Sequence, residues 1–172
     1  METVTIALQS SEIEFKSRLK ELDLEPIKAK LLYSFRDVWD LEKLKLIEKE
    51  YKKFLFLCFK YQEKAIVPSK LVDDFWHQHI LDTGKYKDDC FDLFGYFLHH
   101  FPYFGMRDKK VEEVHEEAIK ETQELYKKEF GGILSDGFTC QGVPTSNAPA
   151  MQGTTEFNLR KEKRPTIKDV LI

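Results

Sequence analysis

Apolar residues recur at helical spacing along most of the first 130 positions of the chain. The clearest segment is 41–61, where they repeat with a period close to 3.6 after the candidate N-cap Asp40. We predict helices over about 11–22, 26–32, 41–61, 70–82, 86–101 and 108–130. The pattern therefore predicts an all-α fold, a single bundle-like domain of five or six helices.

The two ends of the chain lack this periodicity. Residues 1–9 resemble a short extended arm, and Ser11 with Glu14 matches a capping box that would start the first helix. After Gly137 the composition shifts to Thr, Ser, Asn, Pro, Gln and Gly. We predict an N-terminal arm at 1–9, a helical domain at 10–137 and an irregular tail at 138–172.

Composition narrows the class of protein. Hydrophobic residues make up 42% of the chain, enough for a core and too many for global disorder. The net charge of -3 argues against a nucleic-acid partner, and no apolar run approaches the roughly 20 residues of a membrane-spanning helix. With no signal-peptide pattern and no CxxC pair among three cysteines, the sequence predicts a cytoplasmic protein with reduced thiols.

Four of the five histidines lie within 24 residues: His77, His79, His99 and His100. Two residues separated by one position leave a helix in directions about 160° apart, so His77 and His79 are not expected to bind the same ion. His79 falls on the apolar face of the segment 70–82. Asp73 and His77 are four residues apart and share another face.

The helices predicted at 70–82 and 86–101 are joined by a short link, which favours an antiparallel hairpin. Facing apolar sides would bring His79 towards Cys90, with His100 near one end. One candidate cluster is therefore His79, Cys90 and His100, a mixed imidazole and thiolate set that suits zinc.

A second candidate cluster combines Asp73 and His77 with His100 or Asp89. Two histidines and one carboxylate with open positions suit non-haem iron. The HExxH pattern of zinc proteases is absent. Taken together, the candidate metal ligands are His77, His79, Cys90, His100 and Asp73, with Asp73 acting as a ligand or as a group that orients one.

Each of these residues also has an interpretation without a metal. A buried histidine can bond to a carbonyl or carboxylate, and Asp73 with His77 can be a simple pair one helical turn apart. Cys90 could serve as a nucleophile beside an imidazole, although burial would raise the pKa of a thiol and oppose that role.

A longer pattern also runs through this region. Val67-Pro68-Ser69, Trp76-His77-x-His79-Ile80-Leu81-Asp82-Thr83 and Leu98-His99-His100-x-Pro102-Tyr103-Phe104-Gly105 carry it. Over about residues 50–106 the chain resembles the domain of the glycine-rich domain-containing proteins of plants and of smaller microbial proteins. That resemblance implies no established activity. It links the domain to development and stress responses, with proposed RNA association, and the glycine-rich tail is missing here.

The sequence as a whole predicts a metal-binding helical domain that carries zinc or iron. It could be a metal-dependent enzyme that acts on a small substrate, and the sequence does not assign catalytic residues. The alternative is a protein-interaction module. In that interpretation the His-Trp-Phe region is structural core, and the tail or the charged helix 108–130 binds a protein partner.

Overall fold

The computed structural model describes residues 2–101, 109–132, 141–143 and 164–171. Within these segments the chain is all-α, as predicted, with seven helices and one two-stranded antiparallel ladder. The elements are α1 (Glu2–Glu21), α2 (Glu25–Ser34), α3 (Leu41–Lys60), α4 (Lys70–Leu81), α5 (Thr83–Phe94), β1 (His99–Phe101), α6 (Lys109–Phe130), β2 (Gln141–Val143) and α7 (Ile167–Val170). None of the helices in the described segments is both long and apolar enough to cross a membrane.

Short polar side chains start three of the helices. The Asp40 carboxylate accepts a hydrogen bond from the Lys43 N–H at 2.8 Å, which confirms the predicted cap of α3. Ser69 Oγ lies 3.4 Å from the Val72 N–H at the start of α4, and Asp82 accepts from the Lys85 N–H at 3.3 Å at the start of α5. These caps fix where the segments that carry the histidines begin.

Glycines end two helices and explain one wrong prediction. Gly95 and Gly131 adopt positive φ angles of 76° and 72°, the left-handed conformation that terminates α5 and α6. The helix predicted over 86–101 is wrong in its second half, because Gly95 closes α5 at Phe94 and the chain continues into β1. His100 is therefore a strand residue.

The predicted ends of the chain also differ from the structure. The extended arm at 1–9 is wrong for residues 2–9, which belong to α1, and Ser11 lies inside that helix instead of capping it. The tail contributes β2 and the short helix α7. The aromatic loop predicted around 102–105 and most of the tail lie outside the described residues.

The chain divides into two compact units. Unit 1 comprises Met1–Lys45, Gln78–Phe97 and Pro149–Ile172. In it α1 packs against α5, where the rings of Phe15 and Phe94 lie 5.4 Å apart. Helix α7 packs against α2, and the Arg36 side chain donates to the Val170 carbonyl at 3.0 Å.

Unit 2 comprises Leu46–His77 and Leu98–Ala148. Its core is aromatic: the rings of Phe54 and Trp76 lie 5.0 Å apart, and those of Tyr51 and Phe75 lie 5.2 Å apart. Strand β1 pairs with β2 in the register His99↔Val143, His100↔Gly142 and Phe101↔Gln141.

Polar contacts also hold α6 against the C-terminal half of α3 and the turn that follows it in unit 2. Lys53 Nζ donates to the Tyr126 hydroxyl at 2.6 Å, and Tyr61 donates to Glu129 at the same distance. An ion pair links Lys64 to Glu121. Part of the charged surface of α6 therefore serves packing inside unit 2.

Candidate metal centre

Helix α4 supplies two side chains of the candidate site. Asp73 and His77 are one turn apart, so they share a face of the helix. The Asp73 carboxylate is buried, with its side chain 8% exposed, whereas the His77 side chain is 46% exposed. The distance from Asp73 Oδ2 to His77 Nδ1 is 3.4 Å, so one buried carboxylate stands beside one accessible imidazole.

Strand β1 supplies the third side chain. His100 Nε2 lies 3.0 Å from Asp73 Oδ1, and both side chains are 8% exposed. The His100 ring packs 4.6 Å from the buried Trp76 ring and 4.4 Å from the His77 ring, measured between centroids. These contacts hold the His100 imidazole against the two residues of α4.

The three side chains together form a compact ligand set. One ligand atom from each of Asp73, His77 and His100 can be chosen so that all three lie within 4.8 Å of one another. Ligands bound at about 2.1 Å and separated by about 90–110° at the ion stand roughly 3.0–3.4 Å apart. Asp73 meets the two imidazoles through different oxygens, Oδ1 to His100 at 3.0 Å and Oδ2 to His77 at 3.4 Å, and each distance falls within this spacing.

His79 lies in a different environment, within unit 1. Its Nε2 is 2.8 Å from Asp89 Oδ2, and the Lys85 ammonium lies 2.9 Å from the same oxygen. The His79 ring meets the Tyr86 ring edge-on, with centroids 5.0 Å apart. Burial lowers the pKa of the His79 imidazole although Asp89 acts in the opposite direction, so the neutral imidazole is favoured.

The structure thus joins the members of one predicted cluster and not those of the other. Asp73, His77 and His100 come together, as one version of the second cluster proposed, while Asp89 pairs with His79 instead. Among the described residues, His79 and Cys90 belong to no group of three or more possible metal ligands. Cys90 is buried on α5, and His99 is exposed on β1.

The contact of Trp76 with His100 was not predicted from the sequence. Trp76 is fully buried and also forms one wall of the candidate site. Its place directly before His77 carried no such signal, because consecutive residues of a helix point about 100° apart.

The sequence model of the UCP032817-like family matches residues 15–129. The chain belongs to the UCP032817-like family. This match overturns the resemblance to the glycine-rich domain-containing proteins, because the family found is a different one and is uncharacterised. No curated protein and no solved structure matches the chain. The matched range includes all three candidate ligands, and membership in the UCP032817-like family assigns them no role.

Proposed function

We propose that this member of the UCP032817-like family binds a divalent transition metal, zinc or iron, through Asp73, His77 and His100. The observation that carries the proposal is the convergence of two imidazoles and one buried carboxylate, with one ligand atom from each within 4.8 Å of the others. A buried carboxylate is costly unless it is compensated, and a cation between it and the imidazoles would compensate it.

The types of ligand indicate which metals the site would suit. Among the residues that the structure describes the set contains no thiolate, so it resembles the two-histidine, one-carboxylate groups that bind non-haem iron, and it equally fits zinc sites with three protein ligands. Structural zinc sites have four protein ligands, whereas sites with three leave room for water or substrate. The described residues supply three ligands, and the 46% exposure of His77 supports solvent access to an ion held by them. We therefore favour a metal-dependent enzyme that acts on a small substrate by activating bound water or dioxygen.

The same three side chains could instead form a hydrogen-bonded network in which Asp73 only orients the imidazoles. In that case the cluster would be structural, and the interaction-module alternative would gain weight. The contacts of α6 with α3 and the turn after it already use part of the charged surface that such a module would offer. The two hypotheses make opposite predictions for metal content.

The test is elemental analysis of protein purified without a histidine tag and then loaded with Zn²⁺ or, anaerobically, with Fe²⁺. We expect one ion per chain, and a melting temperature that falls when a chelator removes it. His100→Gln should lower the affinity by at least about a hundredfold, which corresponds to roughly 2.7 kcal/mol of binding free energy.

His99→Gln is the matched control, because it makes the same change at the neighbouring, exposed position of β1. It should retain the ion. Substoichiometric metal after loading, together with a melting temperature that does not respond to chelator, would rule out the proposed function.

A further inference from the structure

A polar cavity lies within unit 1, and its walls come from three segments of that unit. The cavity measures about 370 Å³, within the roughly 300–1,000 Å³ of pockets that hold small molecules. The walls are the turn between α1 and α2 with the start of α2, the helix α5, and the C-terminal segment that leads into α7. The charged residues that line the cavity are Asp23, Lys85, Asp88, Asp89 and Arg164. These walls suit a small and strongly polar ligand.

The α5 wall carries charges that are held in place. Lys85 Nζ lies 2.9 Å from Asp89 Oδ2, and the two side chains are only 11% and 18% exposed. The buried His79 holds the same oxygen through Nε2 at 2.8 Å. Charged side chains with so little exposure are uncommon, and they cost free energy unless they are paired. The group around His79 thus has a structural role in fixing this wall of the cavity.

The other two walls offer opposite charges. The Arg164 guanidinium holds Asp82 through Nε and Nη2 and has three further N–H donors. On the turn between α1 and α2, Asp23 Oδ1 accepts a hydrogen bond from the Glu25 N–H at 2.9 Å, and a carboxylate can accept several more. A ligand that carries both a carboxylate and an ammonium group would find a partner for each.

A single metal ion does not fit the carboxylates of this cavity. Among the described residues, Asp23, Asp88 and Asp89 do not form a group in which one ligand atom from each lies within 4.8 Å of the others. The Lys85 ammonium also lies against Asp89 and would repel a cation there. The arrangement favours a polyatomic ligand whose charges are on separate groups.

We infer that this cavity binds a small zwitterion, with the free amino acids as its chemical class. The Arg164 guanidinium binds the carboxylate of the ligand, because arginine presents parallel donors that match carboxylate geometry. The Asp23 carboxylate binds the ammonium group of the ligand. This site lies within unit 1 and does not depend on the metal proposed for unit 2.

The test is calorimetric titration of the full chain with each of the standard free amino acids. We expect at least one of them to bind. Its matched amine, which lacks the carboxylate, and its matched acid, which lacks the ammonium group, should each bind at least about tenfold more weakly. Asp23→Asn and Arg164→Gln should each lower the affinity for that amino acid by about tenfold or more. Asparagine can still accept the Glu25 N–H, so the start of α2 should be preserved.

Each variant has a matched control within unit 1. Arg36→Gln is the control for Arg164→Gln, because Arg36 also binds the C-terminal segment, through the Val170 carbonyl, and does not line the cavity. Asp92→Asn is the control for Asp23→Asn, because Asp92 is an exposed residue of α5 outside the lining. Both controls should bind the amino acid within about threefold of the natural affinity.

Two results would overturn the inference directly. The first is that no amino acid binds at millimolar concentration. The second is that the amine or the acid alone binds as tightly as the amino acid, because the ligand would then need only one charge. If Arg164→Gln does not fold or weakens binding no more than Arg36→Gln does, Asp23→Asn on the other wall decides, and an unchanged affinity there would also contradict the inference.

Discussion

Two groups of imidazole and carboxylate side chains, built from the same residue types, have different surroundings in this protein. In unit 2, Asp73 stands between His77 and His100, and one of the imidazoles is open to solvent. In unit 1, Asp89 stands between His79 and Lys85, and the imidazole is buried. The first group combines two imidazoles, which can be neutral ligands, with one carboxylate. The second already contains its own cation.

This difference shows why residue type alone does not define a metal site. The Lys85 ammonium compensates the charge of Asp89, and a metal ion at the same oxygen would be repelled by it. No cation occupies the corresponding place beside Asp73 among the contacts of the described residues. We therefore propose a ligand role for the group around Asp73 and a structural role for the group around His79.

The largest expected effect is a difference in metal affinity between variants of the two carboxylates. Asp73→Asn should weaken Zn²⁺ binding by at least about a hundredfold, because it removes the charged ligand shared by both imidazoles. Asp89→Asn should leave the affinity within about threefold of the natural value. Calorimetric titration of the two variants measures this directly. If both variants lose metal affinity to a similar degree, the two groups do not differ in metal binding and the comparison is wrong.

The second effect concerns stability. Here the change in the His79 group should have the larger effect and the change in the Asp73 group the smaller one. His79→Ala should lower the free energy of unfolding by about 2–3 kcal/mol, since it opens a cavity and removes a partner of Asp89. His77→Ala, at a half-exposed position, should change the stability of the metal-free protein by less than about 0.5 kcal/mol. Urea unfolding monitored by circular dichroism provides both values. If His77→Ala destabilises the protein more than His79→Ala does, the proposed structural role of the His79 group is wrong.

The smallest expected effect tests whether unit 1 is held by its ion pairs. Arg164 contacts Asp82 with two nitrogens, at 2.5 and 2.9 Å, and this contact lowers the pKa of the Asp82 carboxyl. Because the pair is partly exposed and screened by solvent, Asp82→Asn should cost at most about 1 kcal/mol at neutral pH.

The pH dependence of this pair follows from the direction of the shift. A depressed folded-state pKa stabilises the protein above the unfolded-state pKa of Asp82, and the stabilisation is lost as the pH falls through the folded value. The stability difference between the natural chain and Asp82→Asn should therefore shrink in acid, as measured by urea midpoints at pH 7 and near pH 3. A difference that grows in acid would contradict this assignment.

Local signals in the sequence were sufficient for most of the helices. The period of the apolar residues located α3 and α6, and Asp40 marked where α3 begins, because a cap acts within a few residues of itself. Gly95 was an equally local signal that the prediction of a helix over 86–101 did not use. The prediction failed because a glycine with positive φ ends a helix regardless of the apolar residues that follow.

The sequence by itself determined the candidate ligand types and the shared face of Asp73 and His77, since helix geometry fixes neighbours one turn apart. Only the tertiary structure decided which imidazole completes the set. His100 reaches Asp73 from a strand 27 positions along the chain, and His79 pairs with Asp89 instead. Such pairings depend on how distant segments pack, and the periodicity of a single segment contains no information about that packing.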